Sequence, residues 1–196
     1  METSFFEFDK ILLLGSQSPR RREIIEKMDI PYTIVSIPFH EASQDIHTPL
    51  DMARAKMNAY GGALAENQIL LTADTMVFLN GRRMEKPHDT REALEMLEQL
   101  SGRMHEVVTG VCMKDLTREI CFDDTARVHF RPLEREEMCY YVRHYMPLDK
   151  AGAYGIQEWI GLTGITRIEG HFYTIMGLPS HLVWEQWLRF NGHWTS

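Results

Sequence analysis

The sequence of 196 residues lacks the features that define several classes of protein. No apolar run approaches the ~18 residues of a membrane-spanning helix, and the acidic amino terminus is unlike a secretory signal. The three cysteines are odd in number and lack the spacing of a metal or redox site. We therefore expect buried free thiols in a reducing compartment and a cytoplasmic protein.

The chain also lacks an excess of basic residues, since its formal net charge is −7. A nucleic-acid-binding surface needs a broad basic face, so the composition argues against that class of partner. If a polyanion binds, it must be small and lie in a local basic pocket. No repeat, low-complexity tract or linker divides the chain, and residues 1–196 are expected to form one domain of two closely joined lobes.

What the sequence does contain is a basic turn directly after an apolar strand. Leu12-Leu13-Leu14 ends at Gly15, and Ser18-Pro19 then opens a segment with three consecutive arginines. Serine suits the N-cap of a helix and proline its first position. The free N–H groups of such a turn, together with arginine side chains, favour binding of a phosphate. A solvated basic turn is the alternative.

The order of predicted elements indicates an α/β fold. We predict strands over residues 11–14, 32–37, 69–79, 105–114 and 118–130. A return strand that follows the Asn80-Gly81 turn is predicted to reach residues 84–87. We predict helices over residues 19–28, 134–145 and 179–190, and two more that begin at Thr48-Pro49 and after Asp89. The second helix has a buried stripe of Leu50, Ala53, Met57, Tyr60 and Leu64. Residues 165–168 and 172–176 are expected to form a last hairpin.

Asp74 is the most informative acid, because it interrupts an otherwise apolar segment. A buried carboxylate needs a cationic partner or a metal. Lys56, at the margin of the buried stripe, and Lys86, at the end of the return strand, are the candidate partners. The alternatives are an acid exposed at a strand end and a plain surface lysine at position 56.

A segment rich in small residues runs from Asp149 to Gln157. Its two glycines would allow the backbone to approach a ligand, and Tyr154 and Gln157 offer polar groups. An ordinary turn is the alternative interpretation.

Taken together, these motifs resemble the Maf family of nucleotide pyrophosphatases. They are, in order, Ser16-Gln17-Ser18-Pro19-Arg20-Arg21, Ala55-Lys56, Ala73-Asp74-Thr75, Glu85-Lys86-Pro87, Leu100-Ser101-Gly102-Arg103 with His105, Asp149 to Gln157, and Met176-Gly177-Leu178-Pro179. The resemblance implies an α/β fold related to the inosine triphosphate pyrophosphatases, with a two-lobed mixed sheet flanked by helices and a central cleft. It also implies hydrolysis of a nucleoside triphosphate to the monophosphate and pyrophosphate with a divalent cation. Members are often dimers, which implies a homodimer.

Within the family, Arg20, Thr75 and Gln157 match the branch that acts on dTTP and UTP. The branch favouring 7-methyl-GTP has a tryptophan in place of Arg20. Two positions depart from the usual pattern: Gly15 replaces a common alanine, and Glu85 replaces a frequent glycine. The resemblance therefore implies the pyrimidine branch and a role in sanitising the nucleotide pool.

The same residues can support this chemistry. Mg²⁺ or Mn²⁺ prefers carboxylate and phosphate oxygens, which assigns the metal to Asp74 and, by resemblance, to Glu41. Asp74 is also the candidate base for the attacking water, and the sequence leaves open which of its two roles dominates. Arg21, Lys56 and Lys86 would counter the charge of the triphosphate, and Ser16 would complete the phosphate site.

The side chains that match the pyrimidine branch also give a physical reason for selecting a particular base. Uracil and thymine present acceptor, donor and acceptor groups, which Gln157 can match in part, while Arg20 and Thr75 could satisfy the remaining carbonyl. We therefore expect UTP and dTTP to be preferred over CTP. The sequence does not distinguish ordinary from modified pyrimidine nucleotides as the true substrates. A non-catalytic nucleotide-binding regulator of cell division and another phosphoryl enzyme are the competing hypotheses.

Overall fold

Strands and helices alternate along the chain, which a computed structural model describes over residues 8–39 and 46–193. The strands are β1 (Ile11–Leu14), β2 (Tyr32–Ile34), β3 (Gln68–Leu79), β4 (Arg82–Met84), β5 (Met104–Lys114), β6 (Glu119–Phe130) and β7 (Ile165–Glu169). The helices are α1 (Pro19–Lys27), α2 (Pro49–Asn58), α3 (Thr90–Leu100), α4 (Arg135–Tyr145), α5 (Trp159–Gly164), α6 (Phe172–Met176) and α7 (Ser180–Phe190). Over the described ranges, none of these helices has the length and hydropathy to cross a bilayer.

Within the described residues, seven strands form one mixed sheet with helices packed beside it. The hydrogen-bonded order is β2-β1-β3-β5-β6-β7, and β4 pairs with β3 outside that path. Strand β1 is parallel to β2 and β3, whereas the β3–β4 and β6–β7 pairs are antiparallel. The expected α/β class with a mixed sheet is confirmed.

The chain divides into two compact units. Unit 1 contains the described residues up to Asp74, then Gly110–Phe122, and those from Leu178 onward. Unit 2 contains Thr75–Thr109 and Asp123–Gly177. Strands β3, β5 and β6 therefore contribute residues to both units.

The core of unit 1 forms around helix α2. Its apolar stripe packs against β1, β3 and β5 in a cluster of Leu13, Ala53, Met57, Leu70 and Cys112, bordered by Val35, Leu50, Tyr60, Leu64 and Cys121. The predicted stripe is confirmed for Leu50, Ala53 and Met57, whereas Tyr60 and Leu64 pack against the same cluster from beyond the helix, which ends at Asn58. Helix α2 lies so close to β5 that a Cβ atom on Gly110 would come within 2.4 Å of the Leu50 backbone. The backbone of α2, which carries Lys56, is thereby held directly against the sheet.

A disulfide in unit 1 corrects the expectation for the cysteines. The N–H of Asp115 donates to the carbonyl of Arg118 and closes the β5–β6 turn. Cys112 and Cys121 each lie three residues from that pair, so they are directly opposite on neighbouring strands and are bonded, with a Cα–Cα distance of 4.1 Å. The prediction of buried free thiols is wrong for these two residues; Cys139 is a free thiol, as predicted, but it is only partly buried.

Unit 2 begins with a tight hairpin that the sequence predicted. Asn80 and Gly81 have φ values of 50° and 76°, and Leu79 pairs with Arg82 across the turn. Positive φ at both central positions is the geometry that Asn-Gly favours. The predicted start of the next helix is also confirmed, since Oδ1 of Asp89 accepts the N–H of Glu92 at 2.8 Å and caps α3.

The predicted hairpin of residues 165–168 and 172–176 is wrong. Strand β7 pairs with β6 instead, with Val128 opposite Ile168, and Phe172–Met176 is helix α6. The apolar run of α6 is short, and such runs fit a strand and a buried helical turn equally well. The tertiary environment favours the helix, because its Thr174 is buried and hydrogen-bonded on both its carbonyl and its hydroxyl.

Candidate active site

A small polar cavity in unit 1 lies beyond the carboxyl end of β1. Its volume is about 180 Å³, and its lining consists of Gly15, Ser16, Gln17, Arg21, Val35, Ser36, Ile37, Phe39, Lys56 and Ala73. Pockets that bury a whole drug-sized ligand hold roughly 300–1,000 Å³. This cavity therefore fits a phosphate group better than an entire nucleotide.

Ser16 has a defined hydrogen-bond polarity in that cavity. Its Oγ accepts the N–H of Ser18 at 3.3 Å and Nη1 of Arg21 at 3.1 Å. A hydroxyl has two acceptor lone pairs and one proton, so these two bonds use the acceptor capacity and leave the proton as the group that can bind a ligand. Ser18 occupies the N-cap position of α1, as predicted. The turn therefore presents donors, as an anion requires.

Asp74 and Lys56 form a half-buried ion pair beside the cavity. Nζ of Lys56 donates to Oδ1 of Asp74 at 2.7 Å, and the two side chains are only 17% and 15% exposed. Thr72, two residues before Asp74 on β3, donates to the carbonyl of Ala53 at 2.7 Å and fixes α2 against the strand. Phe39 lies beneath the ammonium, with its ring centre 6.0 Å from Nζ. The alternatives of an exposed acid and a plain surface lysine do not fit this geometry.

In unit 2, the segment rich in small residues is anchored beside Lys86. The N–H of Gly152 donates to the carbonyl of Glu85 at 3.2 Å. Gly152 has a φ of 71°, and Ala153, which is fully buried, has a φ of 58°. Lys86 and Gln157 are both exposed, so their charged and amide groups are accessible.

A buried network holds the far end of this segment. Tyr141 of α4 donates to the carboxylate of Glu158 and accepts the N–H of Gly155 at 3.0 Å. Burial raises the pKa of Tyr141, and the hydrogen bond to Glu158 raises it further. Lys150, which is 8% exposed, lies 3.2 Å from Glu158. Sequence reasoning missed Tyr141 and Glu158 as supports of Gln157, although Tyr141 lies on one helical face with the apolar residues Met138 and Val142 of the predicted helix over residues 134–145.

His105 supports the same segment from β5. Its Nε2 lies 2.7 Å from the hydroxyl of Tyr154, and both rings pack against Phe130. His105 is 1% exposed, and burial lowers its pKa to about 4, with a smaller contribution from His129. Nδ1 of His105 has no hydrogen-bond partner in the part of the chain that the structure describes.

Comparison with known proteins finds a matching family and relatives over most of the chain. The family described as Maf-like protein matches residues 11–189. The chain belongs to the Maf family. Its relatives include proteins of Porphyromonas gingivalis, 44% identical with 89% of this chain and 92% of the relative covered; of Bacteroides fragilis, 38% identical with 89% and 93% covered; and of Flavobacterium psychrophilum, 39% identical with 91% and 93% covered. Each of these relatives is named a dTTP/UTP pyrophosphatase.

The predicted site residues of unit 1 form one cluster, with two exceptions. Ser16, Arg21 and Lys56 line the cavity, and Asp74 is bonded to Lys56. Arg20 does not line it, because consecutive helical residues point roughly 100° apart around the axis. Glu41, the second acid assigned by resemblance, lies outside the described residues.

Metal binding in this Maf protein would depend on few protein ligands. No group of three or more metal-ligating side chains occurs among residues 8–39 and 46–193. Mg²⁺ is commonly held by one or two carboxylates together with substrate phosphates and waters. Asp74 beside a phosphate-sized cavity fits that mode of binding.

Proposed function

We propose that this chain hydrolyses dTTP and UTP to the nucleoside monophosphate and pyrophosphate; its relatives are named dTTP/UTP pyrophosphatases. The observation that carries the proposal is the clustering of Ser16, Arg21 and Lys56 around a phosphate-sized cavity, with the carboxylate of Asp74 bonded to Lys56. Free nucleotides in the cytoplasm would be the substrates, and a homodimer the working form.

The residues of unit 1 would stabilise the charge of the triphosphate. Arg21 supplies a planar set of donors, Ser16 a hydroxyl proton and Lys56 an ammonium. Charge builds on the departing pyrophosphate during cleavage, so fixed donors lower the barrier most when they face that group. Because α2 is packed against the sheet at Gly110, Lys56 is presented from a rigid support.

Asp74 would act on the attacking water. Its carboxylate is oriented by the bond to Lys56, which leaves further acceptor positions on Oδ1 and Oδ2. One of these could take the water proton, in the manner of a general base. A divalent cation held by Asp74 and, as the resemblance implies, by Glu41 would supply Lewis-acid neutralisation of phosphate charge.

Lys86, Arg20, Thr75 and Gln157 complete the proposed substrate-binding set. Lys86 is an exposed cation next to the anchored segment, and Gln157 is an exposed amide at its end. Lys86 would bind phosphate oxygens, while Gln157 and Thr75 would read the pairing edge of the base. Arg20 would add a donor for a base carbonyl.

A product assay with Asp74→Asn tests the proposal. Wild-type protein with Mg²⁺ is expected to convert UTP and dTTP to monophosphate and pyrophosphate, resolved by chromatography. Asp74→Asn is expected to lower kcat at least about a hundredfold, the scale of lost general acid–base catalysis. Asp123→Asn, the same change at an exposed acid of β6, serves as the matched control and should keep wild-type turnover.

Three outcomes would contradict the proposal. Diphosphate and phosphate as products would indicate another phosphoryl enzyme. Nucleotide binding without turnover in the wild type would indicate a binding regulator. Full activity of Asp74→Asn would remove Asp74 from the chemistry.

A further inference from the structure

A surface groove runs along the outer face of helix α4 in unit 2. Its volume is about 430 Å³, and its lining consists of Arg135, Glu136, Cys139, Tyr140, Arg143 and His144. These positions recur with the spacing of one helical face, whereas Met138, Tyr141 and Val142 on the other face are buried. The groove is therefore the side of α4 that points away from the core.

Exposed apolar surface continues from this groove onto helix α5. Tyr140 is 44% exposed, and its ring centre lies 5.0 Å from that of Trp159. Leu162 follows Trp159 by three residues, so it lies on the same side of α5, and it is 82% exposed. An apolar patch beside a groove with charged residues is typical of a surface that binds another protein.

The charges of the groove indicate which partner it fits. Glu136 and Arg143 lie along its centre line, two helical turns or roughly 10 Å apart along the axis. The polar groups at the two edges have partners within the chain: Arg135 lies 3.0 Å from Glu98, and Nδ1 of His144 donates to the carbonyl of Tyr140 at 2.8 Å. The centre line thus presents one negative and one positive charge, and a second α4 running antiparallel presents the opposite charge to each.

We propose that the outer face of α4 is an interface between two copies of this chain, related by a two-fold axis that crosses the helix between Cys139 and Tyr140. This inference rests on the homodimer proposed above and not on the hydrolysis of nucleotides. A two-fold interface repeats every contact, so Glu136 of each copy lies opposite Arg143 of the other. Parallel helices would instead place each of these charges against its own copy, which electrostatic repulsion disfavours.

Residues next to the axis meet their own copies. Cys139 and Tyr140 lie on either side of the centre line, so Cys139 faces Cys139 of the second copy and Tyr140 faces Tyr140. Axes of packed helices are about 8–10 Å apart, and Cα atoms on the facing sides are closer than that. The two Cys139 thiols therefore come within reach of a disulfide bond. Leu162, at the rim beside Tyr140 and Trp159, extends the apolar part of the contact.

Charge reversal tests the inference, with sedimentation velocity of the full chain over a wide range of protein concentrations as the measurement. Glu136→Arg and Arg143→Glu should each raise the dissociation constant of the dimer at least about a hundredfold, because like charges then face each other at two places. The double variant should dimerise again, and so should a mixture of the two single variants, since both arrangements restore opposite charges. Glu66→Arg, the same change at an exposed acid of unit 1, should leave the dimer unchanged.

Oxidation of the native protein gives a second, independent measurement. Cys139 is a free thiol, so diamide, which takes up the two thiol hydrogens, should link two copies into a covalent dimer that Cys139→Ser does not form.

Four outcomes separate this inference from the proposed function. A wild type that stays monomeric would overturn the inference together with the proposed homodimer. A dimer that survives both charge reversals, or one that the mixture of variants does not restore, would overturn the inference alone. Dimerisation through α4 without hydrolysis of UTP would instead contradict the proposed activity alone.

Discussion

His105 should make the stability of this protein depend on pH between neutrality and pH 4. The side chain is 1% exposed, and burial holds its pKa at about 4 against an ordinary value of 6.5. The folded protein therefore resists protonation of a histidine that the unfolded chain protonates readily. Stability from this group is fully present above pH 6.5 and is lost as pH falls towards 4.

The magnitude follows from the difference between the two pKa values. Each pKa unit corresponds to about 1.4 kcal/mol, so a pKa of about 4 in place of 6.5 is worth about 3 to 4 kcal/mol of unfolding free energy in full. About 3 kcal/mol of this is lost between pH 7 and pH 4, where the folded protein is half protonated at His105. Well below pH 4 both states carry the proton, and His105 causes no further loss. The groups nearest the ring are Tyr154, which hydrogen-bonds Nε2, and His129, whose own proton would add repulsion.

Urea unfolding of wild type and His105→Gln at several pH values between 4 and 7.5 measures this effect. Glutamine can still bond Tyr154 but does not titrate, so the difference between the two proteins should shrink by about 3 kcal/mol as pH falls. Carboxylates titrate alike in both proteins and cancel in the difference. His88→Gln, at an exposed histidine, should run parallel to the wild type. A His105→Gln curve parallel to the wild type would refute the reasoning.

Two further predictions concern unit 1. Gly110→Ala should destabilise the protein by about 3 kcal/mol, because its methyl group would meet the Leu50 backbone at 2.4 Å. Gly61→Ala, whose methyl group meets nothing within 4 Å, should be close to neutral in thermal unfolding. A neutral Gly110→Ala would show that α2 is not packed as described. Oxidised, denatured protein should react with one equivalent of a thiol reagent, at Cys139, and with three after reduction. Three equivalents without reductant would contradict the disulfide.

Local sequence was sufficient for most of the elements. Asn80-Gly81 predicted its hairpin and Thr48 its helix start, because the determining contacts lie within three residues in the chain. Local sequence was not sufficient for Phe172–Met176, because a short apolar run fits both a strand and a helix. There the buried contacts of Thr174 favour the helix.

The candidate site was predictable in part. The basic turn and the isolated acid at position 74 are unusual enough in composition to stand out, and the order of the motifs indicated the Maf family before any geometry was known. Tyr141 and His105 were not recognised as supports of the segment that carries Gln157, because their roles depend on partners 14 and 49 residues away.

By itself the sequence determined which residues are available for chemistry, along with the caps, turns and apolar stripes that build the elements. Tertiary structure alone decided which groups meet: Lys56 with Asp74, Cys112 with Cys121, and Thr75 with Thr109. The direction of a hydrogen bond is likewise invisible in sequence, since a hydroxyl donates or accepts according to its neighbours. Propensity and periodicity act over a few residues, whereas bonding partners are chosen by strands and helices that are distant in the chain.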